Sequence, residues 1–142
     1  MPPAERVDPD HVRQWWVERR SPFATLLGLA IDDVGDGKAT LRLTYTPALC
    51  NEGGAVHGGA IASLCDSAMY VALLSTFGTG ARLVTVDLNV SFLAAAPAGL
   101  DLVAVARTIK AGRSISFGDV SVAAGARTVA HATLNYVNAD RR

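Results

Sequence analysis

The chain has 142 residues, half of them hydrophobic and 18% charged, and its formal net charge is zero. This length and composition are typical of one folded domain and exclude an intrinsically disordered chain. The balanced charge, without a long basic run, argues against a nucleic-acid partner and against a basic membrane-binding surface.

No feature of the sequence indicates export or membrane insertion. The first 16 residues contain no apolar signal core, and the most apolar stretch, residues 60–74, is expected to be too short to span a bilayer. Cys50 and Cys65 lack the spacing of a metal or redox site, which favours packing roles in a reducing compartment. We therefore expect a cytoplasmic protein with no membrane partner and no metal ion.

The first regular pattern along the chain is amphipathic and covers residues 9–20. It predicts a short helix with Asp8 or Asp10 as its N-cap, and Pro22 is expected to prevent its continuation. The two adjacent tryptophans within it are interpreted as an anchor onto the domain or onto a partner subunit.

The remaining chain contains six strand-like segments and one long apolar segment. LAIDDVGDGKATLRLTYT predicts a β-hairpin, because apolar and polar residues alternate on either side of a glycine-containing turn. Four further strands are expected to follow one another as a meander. Their turns are expected at residues 97–99, 111–113 and 125–127. This order of elements predicts an α+β fold in which one antiparallel sheet covers a single long helix.

The first strand of the meander has a nearly uninterrupted alternation. In LVTVDLNVSFL, residues 83–93, apolar residues alternate with polar ones. A strand places successive side chains on opposite faces of the sheet. The apolar residues, Val84 and Val86 among them, are therefore expected on one face, and Thr85 on the other.

Residues 59–75 predict a helix that is apolar on nearly all sides and hence buried. At 100° per residue its polar positions fall within an arc of roughly 100°; they are Ser63, Asp66, Ser67 and Tyr70. No lysine or arginine lies between Arg42 and Arg82 in the sequence to pair with Asp66. An unpaired carboxylate is costly to bury. Asp66 is thus a candidate catalytic group, and the alternative is a structural carboxylate at a subunit contact.

The segment NEGGAVHGG, residues 51–59, places four glycines and a histidine directly before this helix. Glycines allow another molecule to approach the backbone closely. Free N–H groups near Gly58 and Gly59, at the helix start, would suit a carbonyl oxygen that becomes an oxyanion. Asp66 lies about 12 Å farther along the helix, too far to act on the same carbonyl within one chain. We therefore expect a composite site, with two such helices antiparallel across a dimer axis.

The segment NEGGAVHGGAIASLCDSAMYVAL resembles the signature of the hotdog-fold acyl-CoA thioesterases, in particular the phenylacetate-degradation (PaaI-type) family. The shared pattern is an Asn, a V-H-G-G sequence and an Asp nine residues after the His. LVTVDLNVSFLAAAPAG and GRSISFGDVSV are also similar to that family. The resemblance covers roughly residues 25–138. It implies a single hotdog domain over residues 1–142, with an N-terminal helical segment at 1–22, and a homodimer or homotetramer with active sites between subunits.

The resemblance implies catalytic roles for Asp66, Gly58, Asn51, His57 and Thr85. Asp66 matches the catalytic carboxylate, either nucleophile towards the thioester or general base for water. The Gly58 N–H matches the group that polarises the thioester carbonyl, and Asn51 matches a residue that places the thioester or the attacking water. His57 matches an orienting hydrogen-bond partner, with a loop-fixing role as the alternative. Thr85 matches a hydroxyl that assists across the dimer, or is an ordinary strand threonine.

Contacts with the substrate are expected at Gly59, Tyr70, Arg82, Arg113 and Ser114. Arg113 and Ser114 resemble the family's turn that meets the nucleotide end of coenzyme A, where an arginine would suit a phosphate. Arg82, Arg107 and Lys110 are alternative phosphate ligands.

These implications together describe an acyl-CoA thioesterase that releases a free acid and CoA. No cofactor is expected, since coenzyme A is part of the substrate. An aryl or phenylacetyl group is preferred over a medium-chain acyl group, and it is expected along the helix seam near Tyr70, Met69 and Leu73. Two alternatives remain open. One is a hotdog hydratase or dehydratase, which typically carries a different motif, and the other is a non-catalytic acyl-CoA-binding module, which Asp66 disfavours.

Overall fold

A computed structural model describes residues 5–141. The helices are α1 (Pro9–Arg19), α2 (Pro22–Leu27) and α3 (Gly58–Phe77), with 3₁₀ turns at Pro47–Leu49 and Ala139–Arg141. The strands are β1 (Leu29–Gly35), β2 (Lys38–Leu43), β3 (Leu83–Phe92), β4 (Leu102–Ala111), β5 (Ile115–Ala124) and β6 (Arg127–Asn138). All six strands form one antiparallel sheet that covers α3, as the sequence predicts.

The N-terminal helix is confirmed, and a second short helix follows it. Asp8 caps α1, since its side chain accepts a hydrogen bond from the Asp10 N–H at 3.0 Å. Pro22 does end the first helix, but it also begins α2, with Ser21 as the N-cap. Proline suits the first position of a helix because its missing N–H would be unpaired there. The six-residue α2 was not predicted, because it is too short to show a helical period.

The strand order is β1-β2-β4-β5-β6-β3, so the predicted four-strand meander is wrong for its first strand. β4, β5 and β6 do pair consecutively, but β3 pairs with β6 at the edge of the sheet. The reason is the position of α3. That helix carries the chain from β2 across the sheet to its opposite edge, and the connection at residues 93–101 returns it to β4 beside β2.

The predicted hairpin is confirmed, and its turn fixes it onto α3. Gly35 pairs with Lys38 around the two-residue turn Asp36–Gly37, whose φ angles are 52° and 76°. Two positive φ angles are what the right-handed twist of a short hairpin requires. The Gly37 N–H then donates to Ser75 Oγ at 2.8 Å, so the turn is tied to the C-terminal half of the helix.

Half of α3 is buried against the sheet. The ten buried residues are Ile61, Leu64, Cys65, Ala68, Met69, Val71, Ala72, Leu73, Leu74 and Ser75. Met69 and Leu73 are fully buried in this core, so the expectation that they line the acyl site is wrong. At 20 residues α3 is also long and apolar enough to cross a membrane, which makes the length argument from residues 60–74 wrong. Here it serves as the core helix of the domain.

A bulge in β3 reverses the predicted orientation of its first half. Thr85 pairs with Tyr136 and Asp87 with Asn135, so Val86 is an extra residue without a partner. A bulge of this kind changes the phase of the alternation. Thr85 therefore faces α3, whereas Val84 and Val86 are 52% and 62% exposed.

Candidate active site

The half-buried carboxylate of Asp66 is held by two hydroxyl groups from the sheet. Thr85 Oγ1 on β3 donates to Asp66 Oδ1 at 2.7 Å. The Tyr136 hydroxyl on β6 donates to the same Oδ1 at 2.5 Å and lies 2.7 Å from the Asp66 backbone oxygen. Within residues 5–141 no basic side chain forms an ion pair with Asp66, as the sequence predicts. Thr85 thus contacts the carboxylate of its own chain, and the expected role across a dimer stays a prediction.

Tyr136 is a site residue that the sequence analysis missed. It is 2% exposed, and this burial, with the neighbouring Asp66 carboxylate, raises the pKa of its hydroxyl far above the usual range. Tyr136 therefore remains a hydrogen-bond donor at neutral pH. In the alternating sequence TVAHATLNYV of β6, a buried tyrosine is indistinguishable from any other core aromatic residue, and only the need of its hydroxyl for a hydrogen-bond partner is a signal.

Asp66 opens into a cleft of about 420 Å³, called here the Asp66 cleft. It is lined by Trp15, Trp16, Arg19, Ser21, Phe23, Asp66, Ser67, Tyr70, Leu83, Thr85 and Tyr136. The predicted seam thus provides three of its residues, and α1 and the segment after it provide five. That contribution of the N-terminal helices was not predicted, because nothing in their sequence shows which face of the domain they cover.

Trp16 and Trp15 have different roles. Trp16 is 4% exposed, and its Nε1 donates to the Leu29 carbonyl at 3.1 Å. This residue anchors α1 on the domain, in agreement with the first interpretation of the tryptophan pair. Trp15 is only half-buried, and its ring contacts that of Tyr70 in the lining of the Asp66 cleft.

The side chain of Asn51 shapes the glycine-rich loop. Its Oδ1 accepts hydrogen bonds from the N–H groups of Gly53 at 2.9 Å and Ala55 at 3.2 Å. Asparagine commonly stabilises turns in this way. The side-chain oxygen is therefore engaged in the loop, and the amide nitrogen is the group that a ligand could use.

His57 caps α3, which agrees with the loop-fixing alternative. Its Nδ1 accepts from the Gly59 N–H at 2.8 Å. Because the Gly59 N–H already donates to His57, it is not free to make the substrate contact that the sequence predicts. The Gly58 N–H lies in the first helical turn, where no partner exists within the helix. A Cβ at Gly58 would lie 3.2 Å from the ring of Phe92, so the position favours glycine.

Gly58 and Asp66 open into different clefts of the chain. Gly58 and Asn51 line a cleft of about 380 Å³ with Phe92, called here the Gly58 cleft. His57 and Gly59 lie on a third, smaller cleft with Ser63. One chain therefore does not bring the two expected catalytic groups together, as the helical rise between them predicts.

The expected coenzyme A contacts partly converge at one end of the sheet. The Asn138 N–H donates to the Ser114 carbonyl at 2.9 Å, and the Ala139 N–H donates to the Arg82 carbonyl at 2.8 Å. This end lies two residues along the strands from the Thr85–Tyr136 pair. Arg113 is exposed in the same turn as Ser114.

The alternative basic residues differ in their availability. Arg82 is exposed and lies 3.7 Å from Asp140. Arg107 pairs with Asp119 at 2.7 Å on the outer face of the sheet, which makes it a poor phosphate ligand. Lys110 is exposed on β4.

Comparison with known proteins assigns this arrangement to a family. The family profile described as Thioesterase superfamily matches residues 53–131. The chain belongs to the thioesterase superfamily. A Halobacterium salinarum protein with an esterase designation is 38% identical over 109 residues, which are 73% of this chain and 71% of that protein. Human acyl-coenzyme A thioesterase 13 is 32% identical over 101 residues, 70% of this chain and 71% of that protein.

Solved structures give the same result. The Escherichia coli PaaI protein from the phenylacetic acid degradation operon superposes with a TM-score of 0.80 at 25% identity, covering 89% of this chain and 90% of that one. These findings confirm the resemblance, the hotdog fold and the assignment of this thioesterase as a thioester hydrolase.

Proposed function

We propose that this thioesterase hydrolyses aromatic acyl-CoA thioesters, with Asp66 as the catalytic carboxylate and the Gly58 N–H as the group that polarises the carbonyl. The observation that carries the proposal is the geometry of Asp66. Both hydroxyl donors converge on Oδ1, and within residues 5–141 no side chain donates to Oδ2. Oδ2 is therefore available for chemistry in the cleft.

Two routes use this oxygen. As nucleophile, Oδ2 attacks the thioester carbon, the C–S bond breaks, CoA leaves as the thiolate, and water then hydrolyses the acyl–Asp66 anhydride. As general base, Asp66 accepts a proton from the water whose oxygen attacks, and that proton passes to the departing sulfur. Both routes give one carboxylic acid and one CoA per water consumed. Neither requires a metal ion or an organic cofactor.

The free edge of the sheet supports a composite site in a dimer. β3 is the last strand of the sheet and carries Thr85 near its start, beside the Asp66 cleft, and Phe92 at its end, beside the Gly58 cleft. Antiparallel pairing of β3 with a second copy would place the start of one strand next to the end of the other. The Gly58 N–H of one subunit would then approach the Asp66 of its partner.

Aromatic side chains around the Asp66 cleft support the aromatic acyl preference. Trp15 and Phe23 come from the N-terminal helices, and Tyr70 comes from the seam of α3. Aromatic rings bind other rings through offset or edge-to-face contacts as well as through apolar burial. An aliphatic chain would gain only the burial.

The test is thiol release from a panel of phenylacetyl-, hydroxybenzoyl- and straight-chain acyl-CoAs. Asp66→Asn is expected to lower turnover by at least about 100-fold, the scale of losing an acid–base group. Asp33→Asn, the same change at an exposed residue of β1 on the opposite edge of the sheet, is the matched control and should keep wild-type activity. Near-normal turnover by folded Asp66→Asn would refute the assignment of Asp66, and a preference for long alkyl chains would refute the aromatic preference.

A further inference from the structure

We propose that Tyr136 is a positioning residue that determines which oxygen of Asp66 faces the substrate. The inference rests on the proposed catalytic role of Asp66. The Tyr136 hydroxyl lies within hydrogen-bond distance of both the backbone oxygen and Oδ1 of the same residue. A group that contacts both the backbone oxygen and the carboxylate of one residue restricts the rotation of that side chain relative to the helix. The carboxylate then cannot exchange its two oxygens without breaking this contact.

The second donor strengthens the restriction. Thr85 on β3 is the register partner of Tyr136 on the neighbouring strand β6, and it also donates a hydrogen bond to Oδ1. With two protein donors Oδ1 is the more strongly hydrogen-bonded oxygen of the carboxylate, and the less hydrogen-bonded Oδ2 is the more reactive one. This division of roles is useful to either route of hydrolysis, because both need one oxygen held in a fixed direction.

Tyr136 is itself held on both sides. It pairs with Thr85 on β3 and with Ser116 on β5, and both Tyr136 and Ser116 are almost completely buried. A side chain on an inner strand of the sheet has less freedom than one on a loop. The hydroxyl is therefore a preorganised donor, whose orientation is set by the fold before substrate binds.

The titratable groups near Asp66 allow a pH profile to be interpreted. Cys65 and Tyr70 are on α3 itself; burial raises the pKa of Cys65 to about 12 and raises that of Tyr70. Tyr136 is on β6, and its pKa is raised further. Arg19 reaches the same cleft from α1. The raised pKa values of Cys65, Tyr70 and Tyr136 lie outside the weakly acidic range, where the acid limb of a kcat profile is measured.

The experiment compares Tyr136→Phe with the wild type in kcat, KM and the pH profile of kcat. Phenylalanine keeps the buried ring and removes only the hydroxyl. Loss of a hydrogen bond to a charged group is expected to lower kcat by roughly 10- to 100-fold, with KM changed by less than about twofold. The acid limb of the kcat profile should move to higher pH, because a donor that favours the charged carboxylate has been lost.

A double variant separates positioning from general structural damage. In the Asp66→Asn background, Tyr136→Phe should cause no further loss of kcat, since the carboxylate on which it acts is absent. An equal loss in both backgrounds, or an unmoved acid limb, overturns the inference. Should Tyr136→Phe fail to fold, 3-fluorotyrosine at position 136 keeps the ring and the hydroxyl while changing its donor strength, and an unmoved acid limb overturns the inference in that protein also.

The activities of the two single variants distinguish a missing positioning role of Tyr136 from a missing catalytic role of Asp66. Inactive Asp66→Asn with fully active Tyr136→Phe removes only the positioning role. Active Asp66→Asn removes the catalytic role of Asp66, and the positioning role with it. Thr85→Val and Thr85→Ser give an independent comparison, because valine removes the second hydroxyl and serine retains it; serine should recover most of the kcat that valine loses.

Discussion

The ring of Trp15 lies 6.4 Å from the ring of Tyr70, measured between centroids, at an interplanar angle of 47°. This contact joins the N-terminal helix to the polar seam of the core helix, beside Asp66 in the same cleft. Because buried Trp16 fixes α1 in place, the two rings form a defined wall of the Asp66 cleft. The helix that precedes the sheet therefore forms part of the Asp66 cleft.

Replacing Trp15 by leucine should change acyl preference more than overall activity. Leucine keeps apolar bulk but removes the ring, so an aromatic acyl group loses its ring contact, worth about 0.5–1.5 kcal/mol. We expect kcat/KM for phenylacetyl-CoA to fall by roughly 3- to 10-fold and that for hexanoyl-CoA to change little. Val17→Ala, at a position that is 72% exposed on the same helix, is the control. Equal losses for both substrates would contradict a ring-specific wall.

A mixture of two inactive variants should recover activity if the site is composite. Gly58→Pro removes the backbone N–H at the first position of α3, which the helix backbone tolerates although the proline ring crowds Phe92, and Asp66→Asn removes the carboxylate. A dimer with one subunit of each kind keeps one complete site, so co-refolded equal amounts should show about a quarter of wild-type turnover. The measurement is thiol release before and after subunit exchange. No recovery, despite exchange shown by mass spectrometry, would place the site within one chain.

Gly118 of β5 should be sensitive to the smallest side chain. A Cβ there would collide with the sulfur of Met69 on α3 and with the Arg107 carbonyl of β4. Overpacking of a well-packed core costs about 1–3 kcal/mol, and we expect Gly118→Ala to lower the free energy of unfolding by that amount in urea titrations. Gly80→Ala is the matched control, since nothing lies within 4 Å of its added Cβ. Similar stabilities of the two variants would contradict the close contact between helix and sheet.

Asp119 should contribute stability at neutral pH that is lost in acid. Its hydrogen bond with Arg107 lowers the pKa of the Asp119 carboxyl, and a further bond with His131 acts in the same direction. A lowered pKa in the folded state stabilises the protein above the unfolded pKa of about 3.9. This stabilisation disappears as the pH falls through the lower, folded value. The difference in melting temperature between wild type and Asp119→Asn should therefore be largest near pH 6 and shrink towards pH 3; a constant difference would show that the pair is not linked to protonation.

The parts of the structure that could be predicted from sequence depend on local patterns. The long helix follows from its apolar composition, and the solvent-accessible seam around Asp66 follows from helical periodicity alone. The hairpin at Asp36–Gly37 follows from a dipeptide that accepts two positive φ angles. The separation of Gly58 from Asp66 follows from helical rise.

The parts that could not be predicted depend on contacts between distant segments. Tyr136 meets Asp66 only because β6 lies beside β3, and that pairing is set by how α3 crosses the sheet. Arg19 and Trp15 reach the site because α1 is anchored through Leu29, a contact that leaves no periodic signal. The bulge at Val86 is a single unpaired residue inside an alternation that otherwise looks regular.

Val86, the extra residue of the bulge, lets β3 meet two demands that a regular strand could not meet together. Before it, β3 turns a hydroxyl towards the carboxylate and leaves Val84 outside; after it, Leu88 and Val90 pack against the core. An uninterrupted strand could meet only one of these demands, because a shift by one residue exchanges its two faces. Contact with Asp66 and the packing of Leu88 and Val90 thus depend on separate parts of β3. Substitution of Leu88 or Val90 can adjust stability while the Thr85–Asp66 contact is preserved, and deletion of Val86 would bring the two into conflict.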